Sequence, residues 1–268
     1  DVVMGIANQA AAAIDGARLT REAEIKRQFD YELGMARQIQ QSFLPDACPV
    51  IPGYQVCSWW NSAREVGGDF YDFVDLPGER TAMIIADVSD KGMAAAMFMV
   101  LSRTILRTMT IGKATSREAV ERANDVILAD ARSDMFVTVF HAILDPGEHR
   151  LMYVNAGHNP PLVYRAATHR VTTLPGHGIA LGVVPNISLD EHAIQLERGD
   201  VVLMYTDGIT EAIDATEEEF GVARLADLLA VNADKTPDDL VEEIKRAVSE
   251  FSGESVQFDD VTLIALKR

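Results

Sequence analysis

Four aspartates stand where an apolar strand meets a tight turn, and their side chains are the kind that bind hard cations. They are Asp69 in VGGDFYD, Asp87 in IIADVS, Asp207 in VVLMYTDG and Asp259 in FDDVT. Buried aspartates are rare unless they are paired or bind a cation, so the four together predict a shared cation site. Carboxylates without clustered histidine or cysteine favour Mg²⁺ or Mn²⁺ over zinc. Each aspartate alone is also an ordinary turn residue, so the prediction depends on the whole set.

Six segments occur in an order that resembles a known enzyme family. In chain order they are RQIQQSFLP (37–45), REVGGDFYD (64–72), ADVSDKG (86–92), NAGHNPP (155–161), YTDGITE (205–211) and DDVT (259–262). Together they resemble the bacterial metal-dependent serine/threonine phosphatases of the SpoIIE/RsbU type, a branch of the protein phosphatase 2C (PPM) superfamily. The resemblance covers about residue 38 to the C-terminus. A common family form has glycine where this chain has Asp90, which adds a carboxylate beside the predicted site.

The resemblance implies a site for two Mn²⁺ or Mg²⁺ ions, which would activate a water and neutralise a phosphate monoester. Asp87 is expected to contact both ions, and Asp87 and Asp207 are the predicted catalytic residues. Asp207 and Asp259 would complete one ion, Asp69 would hold the other, and the carbonyl of Val88 is a further candidate ligand. The remaining carboxylates of these motifs are expected behind the ligands or at the surface: Asp72, Asp90 and Asp260.

Three further residues are candidates for binding the substrate. Arg64 is the cation nearest to the Gly-Gly-Asp turn and could hold the phosphate, although arginines are most often solvated. Gly68, with Gly67, permits close approach of the backbone to metal or substrate, or forms a plain β-turn. His158 could protonate the serine leaving group, although a histidine in a loop is more often structural.

The composition excludes several classes of partner. With 41 acidic and 24 basic residues the formal charge is −17, so we expect no binding to nucleic acid or to anionic membranes. No apolar run of 18 residues is present, so no transmembrane segment is expected. Cys48 and Cys57 form neither a metal motif nor a disulfide framework, which favours a reducing cytoplasm. The chain begins at Asp1 rather than Met, as expected of a piece of a longer protein.

Runs of strands and pairs of helices predict an α+β fold rather than alternating βαβ units. Strands are expected at 54–60, 70–74, 81–86, 135–144, 150–154, 162–165, 170–173, 191–196, 201–205 and 261–266, and helices at 92–109, 116–131, 221–230 and 237–251. The resemblance implies a two-sheet β-sandwich flanked by helical layers.

Residues 1–44 contain no proline and predict one long N-terminal helix, about 66 Å if unbroken. One apolar stripe comprises Val3, Ala7, Ala10, Ile14 and Ala17; a second, the predicted regulatory stripe, comprises Ile25, Phe29, Leu33, Ala36, Ile39 and Phe43. The two are out of register, so a stutter or a break is expected near Leu19-Thr20. Such stripes favour a parallel coiled coil and hence a homodimer. Residues 6–19 also resemble the last helix of a GAF sensory domain, or are simply an alanine-rich amphipathic helix.

Three segments are therefore expected: 1–20 as the end of an upstream GAF-like sensory domain, 21–45 as a helical linker, and 46–268 as the phosphatase domain. The resemblance implies a cytoplasmic enzyme acting on a phosphorylated STAS-domain anti-sigma-factor antagonist in bacterial partner-switching, regulated through the N-terminal helix. Two alternatives are a catalytically silent scaffold of the same fold and a two-metal hydrolase of other phosphate esters. The scaffold is disfavoured because a binding module gains nothing from clustered, mutually repelling carboxylates.

Overall fold

Two antiparallel β-sheets of five strands each form the centre of the protein. The computed structural model describes residues 2–112, 115–130, 135–253, 257 and 259–268, apart from the side chains of residues 2, 3, 5–12 and 130. The first sheet, in spatial order, contains β1 (Gln55–Asn61), β10 (Val261–Lys267), β9 (Val201–Tyr205), β6 (Leu162–Arg165) and β7 (Arg170–Thr173). The second contains β2 (Phe70–Leu76), β3 (Arg80–Val88), β4 (Val137–Asp145), β5 (Arg150–Ala156) and β8 (His192–Gln195).

Six helices accompany these sheets in the described part of the chain. They are α1 (Val2–Gln41), α2 (Met93–Thr110), α3 (Ser116–Asp130), α4 (Asp207–Thr210), α5 (Gly221–Asn232) and α6 (Pro237–Ser252). Helices α2 and α3 pack on the second sheet, whereas α5 and α6 pack on the first. Helix α4 is a single turn that was not predicted, because its Asp-Gly sequence is typical of a turn. None of the described helices is long and apolar enough to cross a bilayer.

Alternating side chains on β9 explain why two sheets and two helical layers stack together. Val202 and Met204 join the core between the sheets, whereas Leu203 and Tyr205 pack against α5 and α6. This is the period of two that a strand imposes when both of its faces are covered. The predicted α+β sandwich with helical layers is confirmed.

Helix α1 continues without interruption through Leu19-Thr20, where either a stutter or a break was expected. Thr20, at that point, donates a hydrogen bond from its hydroxyl to the carbonyl of Gly16, 2.9 Å away within the helix. Nearby Ile14 and Leu19 are exposed. The predicted residues Val3, Ala7 and Ala10 lie outside the residues whose side chains are described.

The regulatory stripe of α1 is divided between two environments. Its members Leu33, Ala36 and Phe43 are half-buried. Its members Ile25 and Phe29 are exposed, and Ile39 is 58% exposed. The helix therefore rests on the domain through only part of the stripe, and the other part faces outward.

Asp72 is fully buried beneath α2, which corrects its expected position behind the ligands or at the surface. Its carboxylate lies 2.7 Å from the guanidinium of Arg107 and 2.9 Å from that of Arg103. A buried carboxylate between two arginines ties α2 to β2, because removing one partner of a buried ion pair leaves the other charge uncompensated. Asp72 therefore has a structural role in this fold.

The change Asp72→Asn is expected to lower the free energy of unfolding by about 3 kcal/mol. The half-saturating manganese concentration of any metal-dependent activity should stay within threefold of the parent. Urea denaturation and a manganese titration measure the two effects, and Asp75→Asn, an exposed change on the same strand, is the control. Unchanged stability with lost metal dependence would instead place Asp72 among the ligands.

His141 is a buried histidine that links three elements. Its ring nitrogens lie 2.9 Å from the hydroxyl of Thr110, at the end of α2, and 3.0 Å from that of Ser116, at the start of α3. Burial lowers the pKa of His141 from 6.5 to about 4. Between those values the unfolded chain binds the extra proton, so this histidine's contribution to stability is present above pH 6.5 and is lost as the pH falls towards 4.

We expect the parent to lose about 2 kcal/mol more stability than His141→Gln when the pH falls from 7.5 to 5.0. The comparison requires both proteins, because buried acids whose pKa is raised respond to pH in the opposite direction. Denaturant unfolding at the two pH values, with a chelator present, measures the difference. An equal pH dependence in parent and variant would contradict the prediction.

Candidate functional site

Two of the predicted ligands meet at one end of the second sheet. Asp69 directly precedes β2, and Asp87 is the penultimate residue of β3. The antiparallel register pairs Phe70 with Ala86, which places the two aspartates next to each other. The two carboxyl groups are close enough to shift each other's pKa.

The other two predicted ligands meet at one end of the first sheet. Asp207 begins α4 immediately after β9, and Asp259 stands two residues before β10. Because Tyr205 pairs with Leu263 in the antiparallel register, the end of β9 lies beside the start of β10. Both carboxylates therefore come from the same end of this sheet.

Asp69 joins the two sheet ends. Its Oδ2 accepts hydrogen bonds from the hydroxyl of Thr206, at 2.6 Å, and from that of Thr262, at 2.8 Å. Its carbonyl accepts a bond from the indole nitrogen of Trp60 at 2.9 Å. The sequence analysis missed these three donors, although both threonines stand within the motifs that carry Asp207 and Asp259. They bind a carboxylate of the second sheet to the first.

Electrostatic effects show that the four aspartates form one cluster. Burial and the charge of Asp87 raise the pKa of Asp69 well above its usual range. Burial, followed by the charge of Asp207, raises the pKa of Asp87 to about 7. Burial and the charge of Asp259 raise the pKa of Asp207, and Lys91 opposes this increase. The carboxylates therefore repel one another, and added positive charge would relieve that repulsion.

Lys91 brings a positive charge to the edge of the cluster. Its Nζ lies 2.8 Å from Oδ2 of Asp259. The preceding residue, Asp90, has a φ of 77°, in the left-handed region that glycine and, among other residues, aspartate adopt most readily. Glycine would adopt that conformation at this position without strain. Asp90 is exposed, and its carboxylate accepts a bond from the backbone amide of Lys91.

The two glycines before Asp69 are required by close contacts. Asp260 accepts hydrogen bonds from the backbone amides of Ala63, at 2.8 Å, and Gly68, at 2.6 Å. A Cβ on Gly67 would collide with the Asp260 carboxylate, and a Cβ on Gly68 would lie 2.9 Å from the carbonyl oxygen of Val88. Gly68 therefore leaves space beside the Val88 carbonyl, the backbone group predicted as a ligand.

The segment 63–69, here called the Asp69 loop, contacts helix α1 through Gln40, which is only 3% exposed. Its side-chain nitrogen donates to the carbonyl of Gly67 at 2.5 Å, and its side-chain oxygen accepts from the amide of Gly67 at 3.1 Å. Its neighbour Ile39, a member of the predicted regulatory stripe, faces a different direction, because successive residues are about 100° apart around a helix. Gln40 was missed because a polar residue does not belong to an apolar stripe.

The two remaining substrate candidates lie in different environments. Arg64 is exposed in the Asp69 loop, where its guanidinium is accessible to a phosphate. His158 is buried, with one ring nitrogen 2.9 Å from the hydroxyl of Thr138, which also donates to the carbonyl of Asp87 at 3.3 Å. Burial lowers the pKa of His158 to about 4, so the ring is neutral at pH 7 and supports the strand behind Asp87. This contact supports the structural alternative, and protonation of the serine leaving group by His158 stays a prediction.

The chemistry of the cluster fits a hard divalent cation. All side chains in it are carboxylates except that of Lys91, and oxygen ligands of this kind suit Mg²⁺ and Mn²⁺. Within the described ranges, no three Asp, Glu, His or Cys side chains are already arranged as ligands of one ion. The assignment of a Mg²⁺ or Mn²⁺ site therefore rests on the carboxylate oxygens as donors and on the repulsion between the carboxylates.

Comparisons with known proteins agree with this arrangement. The family model "Stage II sporulation protein E (SpoIIE)" matches residues 77–268. The chain is 34% identical to Protein IcfG of Synechocystis over 88% of its own length and 41% of IcfG. It is 26% identical to the phosphoserine phosphatase RsbU of Bacillus subtilis over 91% of its own length and 72% of RsbU.

The fold has a counterpart among solved structures. The SiaA-PP2C domain of Pseudomonas aeruginosa superimposes with a TM-score of 0.81 and 19% identity, over 91% of this chain and 98% of that domain. At this identity the likeness concerns the fold alone. Since the family model matches most of the chain, the protein belongs to the SpoIIE family, and its fold is that of the PP2C phosphatase domains.

Proposed function

We propose that this domain hydrolyses phosphoserine and phosphothreonine in a protein substrate with the help of two Mn²⁺ or Mg²⁺ ions. The observation that carries the proposal is the cluster of Asp69, Asp87, Asp207 and Asp259, in which burial and neighbouring charge raise the pKa of the first three. A chain gains nothing in stability from repelling buried carboxylates, so their retention supports a cation site. The same reasoning disfavours the silent scaffold.

The residues of the cluster have distinct roles in this proposal. Such ions, when bound, lower the pKa of water and neutralise a phosphate. Asp87 would hold both ions from its central position, with Asp207 and Asp259 on one side and Asp69 with the Val88 carbonyl on the other. The hydroxyls of Thr206 and Thr262 both bind Oδ2 of Asp69, which restricts the rotation of this side chain and so orients its Oδ1.

Arg64 is the proposed phosphate-binding residue on the outer side of the loop. Its exposed guanidinium stands in the segment that leads into the Gly-Gly-Asp turn. A planar guanidinium can donate two parallel hydrogen bonds to a phosphate. It would hold the substrate while the carboxylate cluster supports the reacting end.

A protein substrate is supported by the surroundings of the cluster. A cavity of about 580 Å³ begins at Lys91 and Asp259 and continues along Trp59, Val248 and Val261. It is larger than a phosphate alone needs, so residues flanking a phosphoserine could occupy it. The resemblance to RsbU-type phosphatases supports a phosphorylated STAS-domain anti-sigma-factor antagonist in partner-switching, within the cytoplasm.

We further propose the domain boundaries expected from sequence: 1–20 as the end of an upstream sensory domain, 21–45 as the linker and 46–268 as the phosphatase domain. The outward-facing residues Ile25 and Ile39 and the exposed Ile14 support pairing of two α1 helices. A homodimer of this kind would connect an upstream sensor to the active site.

Phosphate release from a phosphoserine peptide and from nitrophenyl phosphate, each titrated with manganese, tests the proposed function. We expect manganese-dependent release from both and a higher kcat/KM for the peptide. Release from nitrophenyl phosphate alone would favour the small-ester hydrolase. No release from either, with manganese bound, would favour the scaffold.

A further inference from the structure

We infer that Gln40 is a positioning residue that holds the Asp69 loop in its metal-binding shape and makes that shape depend on the placement of α1. The inference rests on the proposed function, because it concerns the same carboxylate cluster. Gln40 touches neither Asp69 nor any other predicted ligand in the contacts described. It acts through the backbone of Gly67, two residues before Asp69.

The pairing between Gln40 and Gly67 uses the whole carboxamide. One side-chain amide satisfies both the N–H and the C=O of a single residue, at 3.1 Å and 2.5 Å. Both bonds are buried, so leaving either backbone group of Gly67 unpaired would destabilise this arrangement. A shorter, charged or apolar side chain cannot replace both bonds. The loop backbone is therefore fixed to the last turn of α1.

The opposite side of the loop is fixed as well. The Asp260 carboxylate bonds the amides of Ala63 and Gly68 and occupies the space beside Gly67. The loop thus lies between a side chain from α1 and a side chain from the start of β10. A displacement of α1 would shift Gly67 between them and be passed along two peptide units to Asp69.

The position of Gln40 on α1 makes the contact sensitive to helix movement. Gln40 lies one residue before the end of α1 at Gln41. A shift of the helix by one residue moves it about 1.5 Å along the axis and about 100° around it, which would remove both bonds. A movement of α1 would therefore reach the site through the Gln40 side chain, and a difference in this pairing between two helix positions would bias the site.

The test compares Gln40→Leu with Gln41→Leu in the full chain, since Gln41 is the exposed neighbour. Manganese is titrated in two ways: by the activity on the phosphopeptide and by heat in calorimetry without substrate. We expect Gln40→Leu to raise the half-saturating manganese concentration at least tenfold in both titrations, with kcat at saturating manganese within threefold of the parent. Gln41→Leu should match the parent in both.

A merely structural role would give a different result. Gln40→Leu would then lower the melting temperature of the metal-free protein and leave manganese affinity unchanged, as expected for Asp72→Asn, and this outcome would overturn the inference. Failure of the proposed function is distinguishable: a parent that binds manganese without turnover refutes the phosphatase proposal, while calorimetry still decides the role of Gln40. A parent that neither binds manganese nor releases phosphate would overturn both.

Discussion

Replacing Asp87 with alanine is expected to abolish manganese-dependent phosphatase activity, by at least a thousandfold, while the protein stays folded. Asp87 interacts electrostatically with both Asp69 and Asp207, and the charge of Asp207 raises its pKa. No neighbouring carboxylate can take its place, since Asp260 already binds two backbone amides. Removing a half-buried carboxyl whose pKa is raised to about 7 also relieves repulsion, so the metal-free melting temperature should rise.

Phosphopeptide turnover and thermal unfolding, both measured with and without manganese, check these two effects. Asp90→Asn is the matched control, because Asp90 is exposed three residues away and should retain activity within threefold. Asp207→Asn and Asp259→Asn should behave like Asp87→Ala. Turnover of Asp87→Ala within tenfold of the parent would show that the wrong carboxylate has been placed at the centre.

Removing residues 1–37 is expected to convert a dimer into a monomer and to change the manganese dependence of activity. The deletion leaves Ile39, Gln40 and Phe43 in place but removes Ile14, Ile25 and the other exposed apolar residues of α1 before Gln38. Exposed apolar residues over several turns of one helix are those that a second helix would cover. The loss of that pairing should let α1 move, and hence weaken its hold on the loop.

Light scattering gives the mass of each protein, and activity against manganese concentration shows how strongly α1 affects the manganese dependence. We expect the full chain to be dimeric at micromolar concentration and the truncated chain to need more manganese for half-maximal activity. Gln40→Leu in the truncated chain should add little, since both changes act on the same contact. A monomeric full chain, or identical curves for the two proteins, would make α1 a passive spacer.

Patterns of local spacing predicted most of the fold. Strands 162–165, 170–173 and 201–205 were predicted with the bounds that the structure shows, because their apolar residues are flanked by turn residues on both sides. The ends of helices and of the longer strands moved by one to three residues. Helix ends depend on capping contacts made by distant residues, which periodicity does not contain.

Contacts between distant segments are what the sequence analysis could not supply. Asp72 and Asp69 occur in one motif, yet Asp69 turns towards the cluster and Asp72 towards α2. Asp69 precedes β2 and Asp72 lies within it, three residues further along, and side chains an odd number of residues apart in extended chain point to opposite faces. Gln40 looked like the polar interruption of a stripe, and its partner is 27 residues away. Such pairs become visible only once the sheets and helices are assembled.

The hydrogen bonds from Thr206 and Thr262 to Asp69 connect the two sheets, which determines the stage of folding at which the site can form. Two of the carboxylates belong to the first third of the chain and two to the last quarter, so the complete set exists only after both sheets have docked. A cation that needs all four gains nothing from partly folded states, and its binding energy belongs to the native state alone. Manganese should therefore lower the unfolding rate more than it raises the folding rate, so the bound ion would increase the kinetic stability of the assembled sandwich.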